Sequence, residues 1–443
     1  MDAPDHSLPS FDAETLKRAR RWLILAVIAL GAGGIYAGFI GGSASRFFDT
    51  ALTEHVDLSV LIWFMAMSCM FFTLVAGQKG WPMLADAGFL STAIGTLLIA
   101  AAPITGAPVF KSDYVPVLYH PVFFMGLALI FCGTLSVAAN LSAAGRMQTS
   151  SIPAYGVVSA AWIMIIAAAC FLRSGPSLPA EMKGQIYYEY LFWGGGHVLQ
   201  FVHSQLVIVA WLWLARSAGL KVRLSAAWTV GLYFIGLLAT MTAAIIYVAY
   251  DPMSDEFRNA FTALMRDMNG LAPMIAGLFI AAAFFAAPRE MRASWPLPLI
   301  CLAMSILLFG LGGSLGYMIE GSNVIVPAHY HGSIVGITLA YMGVAYLLMP
   351  AFGYETVLKS KLARVQPVIY GGGQLCWMLG MAILGAHGVP RKTAGSADTL
   401  GALASFIKHS GDGLALIGGL LFVFVVLRAV FHSRRHSRES GNL

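Results

Sequence analysis

Residues 326–353 read VPAHYHGSIVGITLAYMGVAYLLMPAFG and are apolar over enough length to cross a lipid bilayer. About 20 residues suffice, because an α-helix rises about 1.5 Å per residue. His329 and His331 lie near the start of this stretch. Side chains two positions apart on a helix point about 200° apart, so one metal ion cannot easily bind both imidazoles. The pair therefore predicts two flat cofactors, one on each side of the helix, or two polar groups at the membrane interface.

The composition predicts a polytopic membrane protein. Of the 443 residues, 58% are hydrophobic and 11% are charged, whereas a soluble protein of this size carries about 25% charged residues. The mean hydropathy of +0.75 agrees with this class. The net charge of +6 is therefore expected in loops on the cytoplasmic side, and no nucleic acid is expected as a partner.

The five cysteines are scattered singly through apolar segments, and the sequence contains no CxxC or CxxCH motif. Covalent haem attachment, a zinc ribbon and a thiolate copper site are therefore not encoded. The cysteines are interpreted as small buried hydrophobic residues.

The apolar pattern predicts an all-α integral membrane protein, a bundle of twelve transmembrane helices. A cytoplasmic tail (1–21) precedes a membrane domain (22–432), and a basic cytoplasmic tail (433–443) follows it. No connection is long enough for a second soluble domain. The predicted spans are 22–42, 57–77, 85–105, 118–141, 152–173, 189–215, 226–250, 267–287, 295–318, 328–352, 366–386 and 404–431.

The distribution of basic residues predicts the orientation of these spans. An even number of spans puts both termini on one side, and 18 of the 27 Lys and Arg residues fall on that side. Positive residues are enriched in cytoplasmic loops. Both termini are therefore predicted to be cytoplasmic, in the inner membrane of a bacterium.

With this orientation, most of the intramembrane histidines lie in the outer third of the bilayer, on several spans. Among them are His55, His197, and His329 with His331 on one span. A haem or metal site built from several helices requires such a shared depth, whereas scattered structural histidines do not. Two axial imidazoles occupy both free coordination positions of a haem iron, which then only transfers electrons. A single imidazole leaves one position open to bind a gas. His55, His329 and His331 suffice for one iron of each kind.

The outer loop before the last span carries two cations, Arg391 and Lys392. The positive-inside rule disfavours them there, so they are candidates for pairing with haem propionates. The alternative is an ordinary solvated pair of loop charges.

Together these residues resemble subunit I of the haem-copper oxidase superfamily, which includes cytochrome c oxidase and the nitric oxide reductases. AHYHGSIVGITLAYMGVAYLLMPAFGY (328–354) is similar to the tenth helix of that family. This resemblance implies that His329 binds a high-spin haem and that His331 binds a low-spin haem. LTEHVDLSVLIWF (52–64) resembles the start of the second helix, which implies that His55 is the other low-spin ligand.

Two shorter motifs extend the resemblance. GVPRK (388–392) resembles the turn whose cations meet the haem propionates, and LFWGGGH (191–197) resembles the sixth-helix motif in which the histidine binds a second metal. His197 is therefore implied as that ligand. The adjacent histidines of the family's seventh helix are missing, because Ile246 and Tyr247 stand in their register. The copper or non-haem iron site is accordingly doubtful, with Tyr247 expected to line the distal side.

The resemblance implies a respiratory membrane protein with two non-covalent b- or a-type haems. It would pass electrons from a cytochrome c- or cupredoxin-like donor to O2 or NO. The other hypothesis is a non-catalytic haem protein that senses or binds NO or O2, or only transfers electrons. The missing second-metal ligands favour that alternative, whereas the haem ligands fit both. His203, deeper in the sixth span, is interpreted as a hydrogen-bonded core histidine.

Overall fold

The computed structural model describes residues 11–40, 47–143, 151–321, 323–389 and 399–439. These residues form α-helices almost throughout, which confirms the all-α class. π-helical turns join α2 to α3 (Asp57–Ile62) and precede α10 (Met265–Asn269). The helices are α1 (Ala13–Ile40), α2 (Phe48–Val56), α3 (Trp63–Ala76), α4 (Pro82–Ala101), α5 (Pro121–Ala143), α6 (Ile152–Ser174), α7 (Gln185–Ser217), α8 (Ala226–Ala249), α9 (Asp255–Leu264), α10 (Leu271–Ala286), α11 (Arg289–Ser294), α12 (Leu297–Gly316), α13 (Ile325–Leu348), α14 (Lys361–Ala386) and α15 (Thr399–Glu439).

Twelve helical stretches within the described residues are long and apolar enough to cross a membrane, as the sequence predicts. Three of them begin nine or more residues before the predicted spans, at Ala13, Phe48 and Asp255. Hydropathy misses these first turns because they are polar. The α9 extension forms because Ser254 caps it, its Oγ accepting a hydrogen bond from Phe257 N at 3.1 Å.

The chain divides into two compact units. Met1–Val209 with Arg223–Phe279 forms the first, and Ala210–Val222 with Ile280–Leu443 forms the second. In the first unit α1 packs on α2 and α3, α4 packs on α5, and α6 packs on α5 and α8. In the second unit α12 packs on α13, and α14 packs on both α13 and α15.

Glycines allow the close approach of α12 and α13 in the second unit. A Cβ added at Gly312 would lie 2.4 Å from the backbone nitrogen of Ser333, and one at Gly332 would lie 2.6 Å from Gly312 Cα. Helices gain no hydrophobic stabilisation by packing together inside lipid. Small residues stabilise such crossings instead by allowing close van der Waals contact. This contact determines which α12 backbone atoms lie beside the histidines of α13.

A small hairpin interrupts the loop between α4 and α5, which the sequence analysis treated as a plain connection. Val109–Phe110 pairs antiparallel with Val117–Leu118. Four residues of strand do not alter the all-α class. The hairpin's consequence is local, because it carries Tyr114 towards α7.

Candidate functional site

His55 lies in the last turn of α2, within the helix rather than before it. Its Nδ1 is 2.9 Å from the carbonyl oxygen of Gly33 on α1. A carbonyl only accepts hydrogen bonds, so Nδ1 carries the proton and Nε2 has the lone pair. Gly33 permits this approach, because a Cβ there would lie 2.8 Å from Ser59 Cβ.

Two carboxyl side chains flank His55, and neither is among the site residues predicted from the sequence. Glu54 and Asp57 are each fully buried, at 0% exposure. Their carboxyl oxygens have no hydrogen-bond partner among the described residues. Burying such groups unpaired is costly, and ionisable groups in membrane spans are commonly functional. Their signal in the sequence was the acidic pair around His55 in an otherwise apolar span.

His329 on α13 is held in the same way as His55. Its Nδ1 lies 2.7 Å from the carbonyl oxygen of Gly312 on α12, so Nδ1 again carries the proton. Gly316, one turn further along α12, leaves room for the imidazole. A Cβ added there would lie 2.7 Å from both Nδ1 and Cε1 of His329.

His331 faces a different neighbour. Its ring packs against Trp377 of α14, with the ring centroids 4.0 Å apart and the planes tilted by 36°. The two imidazoles of α13 therefore lie against different helices, His329 against α12 and His331 against α14. This arrangement agrees with the separation of about 200° expected two residues apart on a helix.

His197 on α7 is 2% exposed and is enclosed by aromatic rings. Its Nδ1 lies 2.7 Å from the carbonyl oxygen of Trp193 and 2.8 Å from the hydroxyl oxygen of Tyr114. The carbonyl again assigns the proton to Nδ1. Gln200 donates from Nε2 to the same Tyr114 oxygen at 3.2 Å.

Tyr114 is the contact that sequence reasoning missed, since it comes from a loop distant in sequence. Burial raises the pKa of the Tyr114 phenol well above its usual range. The phenol therefore stays neutral at physiological pH. Its oxygen can accept hydrogen bonds from the Gln200 amide and from Nδ1–H of His197.

Tyr247 on α8 does not contact His197 directly. Its hydroxyl donates to the carbonyl oxygen of Cys170 at 3.0 Å and lies 2.6 Å from Ser174 Oγ, both on α6. Phe261 packs against both rings, with centroids 5.6 Å from Tyr247 and 6.1 Å from His197. Over the part of the chain that the structure describes, no three His, Cys, Asp or Glu side chains are grouped to hold a metal ion.

The remaining candidates are less central. Arg391 and Lys392 lie outside the described residues. His203 packs edge-on against Phe64 with centroids 4.7 Å apart, and its Nδ1 is 3.5 Å from Ser68 Oγ. Those contacts are typical of a core histidine.

The arrangement of His55 and His329 fits axial ligation of haem iron. A metal-binding imidazole commonly donates its other N–H to a carbonyl, which fixes the tautomer and the ring orientation. Both side chains meet that condition through a glycine carbonyl of a neighbouring helix. Gly316 leaves a space for the ring of His329, and any larger residue at this position would fill that space.

Replacing Tyr114 by phenylalanine tests whether the loop anchors His197. We expect the midpoint of thermal unfolding in detergent to fall, because the Gln200 amide loses its acceptor at a cost of about 1–3 kcal/mol. Tyr119→Phe is the matched control, since Tyr119 in the same loop is 55% exposed. Equal shifts for the two variants would contradict the anchoring role.

Comparison with known proteins gives consistent matches over most of the chain. Residues 17–410 match the model of the family described as cytochrome c and quinol oxidase polypeptide I. An uncharacterised protein of Rickettsia prowazekii is 27% identical over 490 aligned residues, covering 93% of this chain and 96% of that protein. An uncharacterised protein of Aquifex aeolicus is 26% identical over 345, covering 75% of this chain and 85% of that protein.

Proposed function

Because the chain belongs to the cytochrome c and quinol oxidase polypeptide I family, we propose that it is a haem-binding respiratory subunit that passes electrons from an external donor to O2 or NO. His55 and His331 are the proposed ligands of a low-spin haem. His329 is the proposed ligand of a high-spin haem. The haems are b- or a-type and non-covalent, since the sequence has no CxxCH motif.

The observation that carries the proposal is the shared anchoring of His55 and His329. Each imidazole donates from Nδ1 to a glycine carbonyl on the adjacent helix, at 2.9 and 2.7 Å. That bond orients the ring and raises the basicity of Nε2, the nitrogen that would ligate iron. Packing alone requires no such tautomer at two separate positions.

Bound haem iron would supply one-electron chemistry and, where one imidazole ligates, an open position for a gas. The chain's own residues hold and orient the ligands. Trp377 packs against the ring of His331 and restricts its rotation. His197, fixed by Trp193 and Tyr114, is the candidate polar group on the distal side, and Tyr247 is the second candidate there.

Two further assignments complete the proposal. Arg391 and Lys392 would pair with haem propionates, because a guanidinium and an ammonium match carboxylates. The excess of Lys and Arg on the side of the termini supports cytoplasmic termini in a bacterial inner membrane. The electron donor would be a cytochrome c- or cupredoxin-like partner.

The second candidate function is a haem protein that binds or senses NO or O2, or only transfers electrons. The residues opposite His197 favour it. Ile246 and Tyr247 stand in the register of the family's adjacent seventh-helix histidines, and the Tyr247 hydroxyl is bonded to α6. A copper ion would need about three imidazoles within about 2 Å.

Metal content together with gas uptake tests the proposal and separates the two candidates. We expect two irons per chain, and copper well below one per chain. Fewer than two irons would contradict the ligand assignment. Uptake of O2 or NO with an artificial electron donor supports the reductase, whereas CO or NO binding without turnover supports the second candidate. One tightly held copper per chain with rapid oxygen uptake would mean that other side chains rebuild the second-metal site.

A further inference from the structure

A basic cleft lies in the first unit, at the end of the bundle where α1 begins. It is formed by the start of α1, the turn between α3 and α4, and the end of α5. Its lining includes Thr15, Arg18, Thr73, Trp81 and Asn140, and an adjoining hollow includes Arg21 and Asp86. We propose that this cleft binds the phosphate group of an anionic phospholipid.

The cleft carries positive charge that its own carboxylate does not balance. Arg18 Nε and Arg21 Nη1 lie 3.3 and 3.0 Å from the same oxygen of Asp86. Among the side chains that line the two hollows, two guanidinium groups thus share one carboxylate. The nearby Asp12 carboxylate is bonded to Thr15 instead of to these arginines. Each guanidinium has five N–H donors in a planar fork, a geometry suited to phosphate oxygens.

A buried hydroxyl also points to a ligand in this cleft. Thr73 lines both hollows and is 6% exposed, yet its hydroxyl has no hydrogen-bond partner among the described residues. The cleft is partly open to the surface. The phosphate would occupy this open mouth beside the arginines.

The position of the cleft selects a lipid over a soluble anion. The apolar run of α1 starts at Trp22, directly after Arg21. Trp81 and Met83, at the start of α4, are 67% and 87% exposed. Tryptophan is enriched where headgroups meet acyl chains, and basic pockets between membrane helices bind anionic headgroups. Acyl chains beside Met83 would complete the contact.

Titration of the purified full-length protein with short-chain phosphatidylglycerol, followed by native mass spectrometry, tests the proposal. We expect Arg18→Gln and Arg21→Gln each to raise the Kd about tenfold, equivalent to about 1.4 kcal/mol. Arg20→Gln is the matched control, because it removes the same charge from the same helix and lines neither hollow. Asp86→Asn should lower the Kd, because it removes the carboxylate that competes for both arginines.

Three results would overturn the proposal. Equal weakening by Arg20→Gln would mean that only the general charge of the helix matters. Equal affinity for phosphatidylcholine, which has the same phosphodiester but no net charge, would remove the preference for an anionic lipid. Competition by inorganic phosphate at the concentration of the lipid would identify a soluble anion as the ligand. If an arginine variant does not fold, Asp86→Asn still tests the proposal, because it keeps both arginines and is expected to lower the Kd.

Discussion

Replacement of His331 by alanine is expected to abolish the low-spin haem spectrum while a high-spin, CO-binding haem remains. His55→Ala should give the same result, because each variant removes one of the two imidazoles proposed for one iron. An iron with a single imidazole has an open position, which changes its spin state and lets it bind CO. Optical spectra of the reduced protein with and without CO measure both effects.

His203→Ala is the matched control for these variants. His203 is also a membrane-span histidine, packed on Phe64 in the same unit as His55, but it lies outside the proposed ligand set. It should retain both haem spectra. The ligand assignment fails if His55→Ala and His331→Ala both keep an unchanged low-spin signal.

Gly316→Ala is expected to cause a comparably large loss, this time of the high-spin haem. The added Cβ would lie 2.7 Å from two ring atoms of His329, closer than carbon and nitrogen can approach. The imidazole must then rotate away from the Gly312 carbonyl and lose the bond that orients it. The iron content per chain should fall from two towards one, with the CO-binding spectrum lost.

Gly313→Ala is the control on the same helix, because a Cβ at Gly313 meets nothing within 4 Å. Both variants replace glycine by alanine in α12, so a change in helix propensity affects them alike. Loss of the high-spin haem in both would point to α12 as a whole rather than to the ring of His329. Retention of the high-spin haem in both variants would contradict the proposal that Gly316 leaves the room that the imidazole of His329 needs.

The helical repeat made the main features of the second unit predictable. Apolar length identified the tenth span, and the two-residue spacing placed His329 and His331 against different helices. The glycine carbonyls that anchor the imidazoles could not be predicted, because a carbonyl leaves no mark in the residue pattern. Their positions depend on how closely two helices approach, which is determined by packing.

In the first unit, local pattern was a weaker guide. Tyr114 reaches His197 across 83 positions of sequence through a hairpin of two-residue strands, too short to leave an alternating pattern. The structure bonds the Tyr247 hydroxyl to α6, a contact that a register shared with the family does not predict. That Tyr247 lines the distal side stays a prediction.

The π-helical turn Asp57–Ile62 has a consequence for the history of the second span. A π-turn closes its hydrogen bonds one residue further along than an α-turn, so it accommodates one additional residue. A single-codon insertion into a regular helix would produce it. Relatives without the insertion should show a one-residue gap here. Their residues after the turn would keep the same orientation relative to the histidine before it, because the wider turn absorbs the additional residue. The insertion would therefore leave unchanged the phase between His55 and the face that α3 buries.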